Sequence, residues 1–281
     1  MPNTDLRGPF RHLRSSVAGV RWLYRGYGLF ESASGYLLIV ALGLLWEAVV
    51  RLSIVDTPTL PALSSILDAF WRLLVSGTFV AVFLPSLKRL FLGYLVACAV
   101  AIALGVTMGS SRFMFRLFGP LIEFLRPIPS PAYVPMAILF FGIGDEMKVF
   151  MIAFASFFPV LLNTISGVRN VERVLIDTGR TFGLSPLSIT TEVVLPSASV
   201  YIVTGMRISL AIALVLTVLA EMVTGNDGIG FFVLNAQRSF RIPEMYAGVI
   251  ALAIVGYLLN YLFVVLESQV LAWNIGLNRV D

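Results

Sequence analysis

Apolar stretches of about twenty residues recur from one end of the chain to the other, with short polar segments between them, and each is long enough to cross the ~30 Å hydrocarbon layer of a bilayer as a helix. Strand-length alternation of the kind a membrane barrel needs does not occur, and helices are the other way to satisfy backbone groups in lipid. The fold class expected is therefore all-α, a polytopic membrane protein. Composition agrees: 58% of the 281 residues are hydrophobic and 13% charged, with a mean hydropathy of +0.90. A water-facing globule would need more polar surface.

Windows of about 20 residues place helices at Gly35 to Val55, Pro85 to Gly109, Leu117 to Phe141, Met147 to Val168, Ser197 to Val223 and Met245 to Leu271. Six crossings put both termini on one side. Arg7, Arg11, Arg14, Arg21 and Arg25 of the polar N-terminal stretch, Arg112 and Arg116 after the second span, and Arg169, Arg173 and Arg180 after the fourth all fall on that side, which the positive-inside rule makes the cytoplasm. Arg51, Arg72, Lys88, Arg89, Lys148, Arg238 and Arg241 fall on or near the other side, so the bias is real without being absolute. Residues 1–34 are read as a cytoplasmic or interfacial segment, with Trp22, Leu23, Tyr24, Tyr27 and Leu29 at the membrane surface, and residues 35–281 as the transmembrane domain. The N-terminus has neither the short apolar core nor the small-residue cleavage site of a secretory signal, so insertion is expected to start at the first apolar run. Between the first two spans, Leu67, Phe70, Trp71 and Leu74 repeat at helical spacing and predict an amphipathic surface helix.

Several function classes fall away. Cys98 is the single cysteine and His12 the single histidine, which leaves neither a disulfide framework nor a cysteine metal site. The net charge of +4 is dispersed or flanks spans, the pattern of a topology signal and not of nucleic-acid binding. No soluble stretch is large enough to bind a nucleotide, so an energy source must be another chain.

The segment after the fourth span, residues 170–196, has the physics of two short helices joined by a tight break. Asn170 is placed as a cap of the first helix, Glu172 at its positive end, and Val171, Val174, Leu175 and Phe182 on one stripe. Gly183 ends it, since glycine tolerates the left-handed conformation past a helix end. Ser185 followed by Pro186 reads as an N-cap with proline at the first helical position. Leu195-Pro196 is expected to end the second helix and launch the fifth span. A rigid elbow of this kind passes on a push that a flexible loop would absorb; an ordinary amphipathic connector has the same spacing.

Here a resemblance enters. Asp177-Thr178-Gly179, three residues, Gly183, nine residues, Val193, one residue and Leu195-Pro196 resemble the cytoplasmic signature of binding-protein-dependent ABC permeases, in which Glu-Ala-Ala fills the first three positions. The departures keep a carboxylate and small side chains. Arg126-Pro-Ile-Pro-Ser-Pro-Ala-Tyr-Val-Pro-Met, Phe141-Gly-Ile-Gly-Asp145, Ala220-Glu221-Met and Gly228-Ile-Gly230-Phe are similar to segments of nitrate, aliphatic sulfonate and taurine permeases. The resemblance implies the fold of a type I ABC importer permease and a non-catalytic role in ATP-driven uptake of a small anionic solute such as a sulfonate, taurine, nitrate or bicarbonate. It also implies two ATPase subunits that hold the ATP and Mg on the cytoplasmic side, a second permease copy forming a homodimer, and a periplasmic or lipid-anchored solute-binding protein. No cofactor is expected on this chain itself, and no partner is expected among nucleic acids.

The pathway is sought in the third span. Arg126 lies about ten residues, roughly 15 Å, into it, near the midplane, and an ionisable residue there is a functional candidate. Pro127, Pro129, Pro131 and Pro135 follow and cannot continue a regular helix. The span should break, and broken spans are tolerated where freed carbonyls line a cavity or are covered by protein. Glu123, Arg126, Pro127, Pro129, Pro131, Tyr133 and Glu221 are the pathway candidates. Glu123 stands three residues before Arg126, so a helical ion pair and a solute-facing arginine both remain open. Glu221, near the outer end of the fifth span, is read as a gate or packing residue, Glu47 as the partner of Arg51, Arg207 as a topology or packing residue, and Asp145 and Glu146 as a solvated turn or, alternatively, a contact for the binding protein. Two rivals need other features: an ion-gradient-driven secondary transporter would use intramembrane acids and an inverted repeat, and only the acids are present; an intramembrane enzyme would need a histidine or paired aspartates within the spans.

Overall fold

A computed structural model describes residues 37–38, 40–54 and 59–272, and all regular structure among them is helical. The N-terminal interfacial segment, with Trp22 and Tyr24, lies outside the described residues. Two units divide at Ile66. In the first, a helix covers residues 40–51 (α1). Its Glu47 accepts a 2.6 Å ion pair from Arg51, as the i,i+4 spacing predicts, and also a backbone hydrogen bond from Ser64. At twelve residues, about 18 Å, the described part is short of a crossing, and the expected start at Gly35 lies outside the described residues.

The second unit contains α2 (Leu63–Val75, which begins just before it), α3 (Thr78–Ser110), α4 (Arg112–Leu125), a 3-10 turn (Ser130–Tyr133), α5 (Val134–Phe141), α6 (Asp145–Arg169), α7 (Arg173–Thr181), α8 (Pro186–Ser188), α9 (Leu195–Thr224), α10 (Ile229–Arg238) and α11 (Ile242–Val270). On α2, Ala69 is buried, while the predicted stripe residues Leu67, Trp71 and Leu74 are exposed, as suits a helix lying in an interface. α3 begins seven residues before the expected Pro85, which sits inside it. As the eighth residue of α3, Pro85 has no N–H to give the Ala81 carbonyl, a loss the long helix carries without ending.

α3, α6 and α9 form the core. Gly93, Ala97, Ala101, Gly105 and Gly109 recur every fourth residue of α3, which puts them on one face. A Cβ added at Gly105 would lie 2.7 Å from Thr164, and one at Gly109 2.6 Å from Val168. Small residues let the two backbones approach, the usual means of joining helices where lipid removes the hydrophobic drive. α6 meets α9 in the same way, with Gly167 against Ala198 and Tyr201.

These contacts also fix direction. Along α3, Gly93 meets Ile152, Gly105 meets Thr164 and Gly109 meets Val168, so α3 and α6 run parallel. The chain between them must therefore return from one end of the bundle to the other. α4 and the 3-10/α5 leg, bent by 93°, make that return, which identifies the bent pair as a broken crossing and not a loop re-entering from one side. Four helices are long and apolar enough to cross, and the bent pair brings the count to five among the described residues.

Candidate functional site

The elbow follows α6. Asn170 closes α6 by donating its N–H to Ser166 O and does not cap the next helix, which starts at Arg173 after Glu172 with no side-chain cap. The two-residue offset arises because Val171 turns inward, 8% exposed, against Val168, Ile189, Val194, Ala198 and Ile202. α7 then ends as predicted: Gly183 has φ +77°, and the Leu184 N–H donates to Gly179 O at 3.1 Å. Ser185 Oγ accepts from the Ser188 N–H at 3.1 Å, with Pro186 at the first helical position.

Leu195-Pro196 does not end the second arm, contrary to expectation. Residues Ile189–Val194 widen into a π turn, and the helix continues without interruption from Pro186 to Thr224. Pro196 has no N–H to give the carbonyl one turn back and its ring crowds that carbonyl; widening the turn by one residue absorbs both problems. The second arm of the elbow is thus the start of the fifth span. On α7 the predicted stripe is split. Val171 is buried, whereas Val174 (71%), Phe182 (81%) and, beyond the break, Leu187 (74%) are exposed apolar side chains. Asp177 and Thr178 are exposed; Asp177 pairs with Arg180 at 3.1 Å, a surface contact worth about 0–1 kcal/mol. Gly179 is buried, yet a Cβ there would meet Leu184 at 3.4 Å, ordinary contact.

In the broken crossing, Arg126 caps the C-terminal end of α4, its N–H donating to Ile122 O. No ion pair joins Glu123 to Arg126 among the described residues, and both are exposed along with Pro127, Pro129 and Pro131. Tyr133 is instead buried, 7% exposed, its hydroxyl donating at 3.2 Å to the Leu125 carbonyl that the break frees, with its ring edge-on to Phe154. It staples the break shut.

Glu221 is fully enclosed. It receives Arg89 Nη1 at 2.9 Å, Ser86 Oγ at 2.9 Å and the Gly230 N–H at 3.0 Å. Arg89, 3% exposed, also reaches Asp145 at 2.7 Å and both oxygens of Asp227 at 2.7 Å, and Lys148 reaches Asp227 at 3.2 Å. Asp145 is therefore tethered, not a free turn residue. Burial opposes the charge on Asp227, and the hydrogen bonds from Arg89 and Lys148 outweigh it, holding its pKa below the usual carboxylate value. The Gly-Ile-Gly segment is shaped by this clamp. At Gly228, φ +97°, a Cβ would fall 2.3 Å from Glu221 Oε1, and at Gly230 2.4 Å from the Val218 carbonyl. Arg89, Lys148 and Asp227 were not among the sequence candidates; the one signal in the sequence was that Arg89 and Lys148 border apolar runs, where a charge demands a partner, and it does not name that partner. Arg207, exposed, contacts Asn260 and Glu267 of α11.

Residues 99–270 match the family model described as the inner membrane component of binding-protein-dependent transport systems. The chain belongs to this family. It is 35% identical over 208 residues to the nitrate import permease protein NrtB of Leptolyngbya laminosa, covering 73% of this chain and 74% of the relative. It is 33% identical over 189 residues to the taurine transport system permease protein TauC of Escherichia coli, covering 67% and 69%. In structure it is similar to a chain of the MetNI methionine ABC transporter in an inward-facing conformation, with TM-score 0.60, 18% identity, and coverage of 70% of this chain and 96% of that one. The chain is thus a non-catalytic ABC importer permease with the fold expected, and partner ATPases hydrolyse the ATP. Nothing in these likenesses supports a secondary transporter.

Proposed function

We propose that this permease imports a small anionic solute, a sulfonate such as taurine or an inorganic anion such as nitrate, and that the elbow at residues 170–196 is where an ATPase subunit docks. The observation that carries the proposal is the continuity of the elbow's second arm with the fifth span, beside exposed Val174, Phe182 and Leu187. An ATPase gripping Leu187 moves α9 directly, because the helix from Pro186 to Thr224 is unbroken, while Val174 and Phe182 lie on the other arm, across the break at Gly183. Asp177, Thr178, Gly179, Gly183, Ser185, Pro186, Leu195 and Pro196 set the elbow's shape.

Two copies of the chain and two ATPases form the assembly, with ATP and Mg on the ATPases, both termini of this chain in the cytoplasm of a bacterial cell, and a periplasmic or lipid-anchored binding protein at the opposite face. Glu123, Arg126, Pro127, Pro129 and Pro131 face the path between the copies, where an arginine at the break favours an anion. Tyr133 acts one step back, holding the break, and Glu221 acts at the other end of the bundle, in the clamp with Arg89. Gly183→Glu places a side chain on a left-handed backbone and a charge at the docking face. Uptake of nitrate or taurine by cells carrying the system is expected to fall at least tenfold while membrane insertion, followed by immunoblot, is unchanged. Normal uptake by Gly183→Glu would exclude the docking role.

A further inference from the structure

A cavity of about 790 Å³ lies between the elbow and the ends of two spans, and Arg112, Arg169, Arg173 and Arg180 all line it. Gly109 and Ser110 of α3 and Val168 of α6 form its inner wall, so it sits where two crossings leave the hydrocarbon, at the level of lipid headgroups. Charge inside it is poorly balanced. Arg180 has Asp177, but Arg112 and Arg173 meet no carboxylate among the described residues, and Arg169 lies over the Phe115 ring at 3.6 Å. Among the described residues, none of those lining the cavity is acidic. Topology asks only that basic residues lie on one side of the membrane; it does not ask four guanidiniums to converge on one hollow.

The orientation of α7 decides where an occupant comes from. Arg173, Ile176 and Arg180 face the cavity, and at 100° per residue they lie about half a turn from Val174, Thr178 and Phe182, the exposed docking side. The cavity therefore lies behind the docking face, against the ends of α3 and α6. We infer that it binds the phosphate headgroup of an anionic phospholipid, the guanidiniums providing the charge-assisted donors that phosphate oxygens accept. Such a lipid braces the elbow against the ends of α3 and α6, so that a push on α7 reaches the span instead of closing the hollow. Binding of the headgroup rests on the membrane-spanning fold alone, whereas the bracing role rests on the docking of the ATPase proposed above.

The test uses full-length permease purified in mild detergent with whatever subunits accompany it, stripped of lipid, and titrated with phosphatidylglycerol, phosphatidylethanolamine or inorganic phosphate under native mass spectrometry. Phosphatidylglycerol is expected to bind at least tenfold more tightly than the zwitterionic lipid. Arg112→Gln with Arg173→Gln should weaken it about thirtyfold, two charges being removed near the headgroup, while Arg112→Lys with Arg173→Lys retains most of the binding. Should the glutamine variant not elute as a folded species, the lysine variant and the ratio between the two lipids decide. Equal binding of the two lipids, or undiminished binding by a folded glutamine variant, overturns the inference. Inorganic phosphate binding as tightly as phosphatidylglycerol also overturns it, making the cavity a site for a soluble anion.

Discussion

At the elbow, a left-handed glycine and a serine cap set the shape, the hydrogen bonds they anchor span only a few residues, and apolar side chains are left bare. At the other end of the bundle, Arg89 of α3 gathers carboxylates from α6, α9 and the α9–α10 turn, up to 138 residues away, and Arg89, Lys148 and Glu221 are themselves buried. One end is built to be gripped and the other to stay closed on itself. The contrast implies that substitutions at the clamp should act on stability and those at the elbow on coupling.

The largest effect is expected at the clamp. Arg89→Leu strands the enclosed Glu221 without its cation, and losing one member of a buried pair costs about 3–5 kcal/mol, read as a drop in the unfolding temperature of the detergent-solubilised protein. Adding Glu221→Leu should recover part of that loss in a double-mutant cycle; a strictly additive cycle would break the clamp as a unit. Next comes Gly228→Ala, whose Cβ collides with the Glu221 carboxyl on a left-handed backbone, at a cost of about 1–3 kcal/mol, checked by the same melt. Smaller and opposite in sign is Gly179→Ala. The space there is ordinary, and alanine within a helix is favoured over glycine by about 0.8–1.0 kcal/mol, so the variant should melt slightly higher and still couple. Smallest on stability is Phe182→Ser with Leu187→Ser, expected within about 0.5 kcal/mol of the parent, yet with loss of ATPase co-purification. A large fall in melting temperature there would erase the contrast.

Legibility follows the same division. Gly183, Ser185-Pro186 and the proline run after Arg126 act through the backbone of adjacent residues, so the elbow's break, its cap and the broken span could be read directly from sequence. Asn170 and Pro196 were misplaced because tertiary contacts outvoted local preference: burial of Val171 delayed α7, and a π turn carried the helix past a proline. Pro85 lies inside α3 and does not mark its start. The clamp was illegible because its partners are scattered through the sequence, and Arg89 and Lys148 looked only like exceptions to a charge bias. The i+4 stripe from Gly93 to Gly109 shows its function only once α6 lies against it.

The most direct test of the account is site-directed cross-linking in the active, membrane-embedded complex. Cys98 is buried, so single cysteines introduced at Leu187, at one end of the bundle, and at Phe240, 84% exposed at the other, report separately. The account predicts that Leu187→Cys cross-links to an ATPase subunit and Phe240→Cys does not. A cross-link to the ATPase from Phe240→Cys, or none from Leu187→Cys in preparations that still hydrolyse ATP and take up solute, would contradict it.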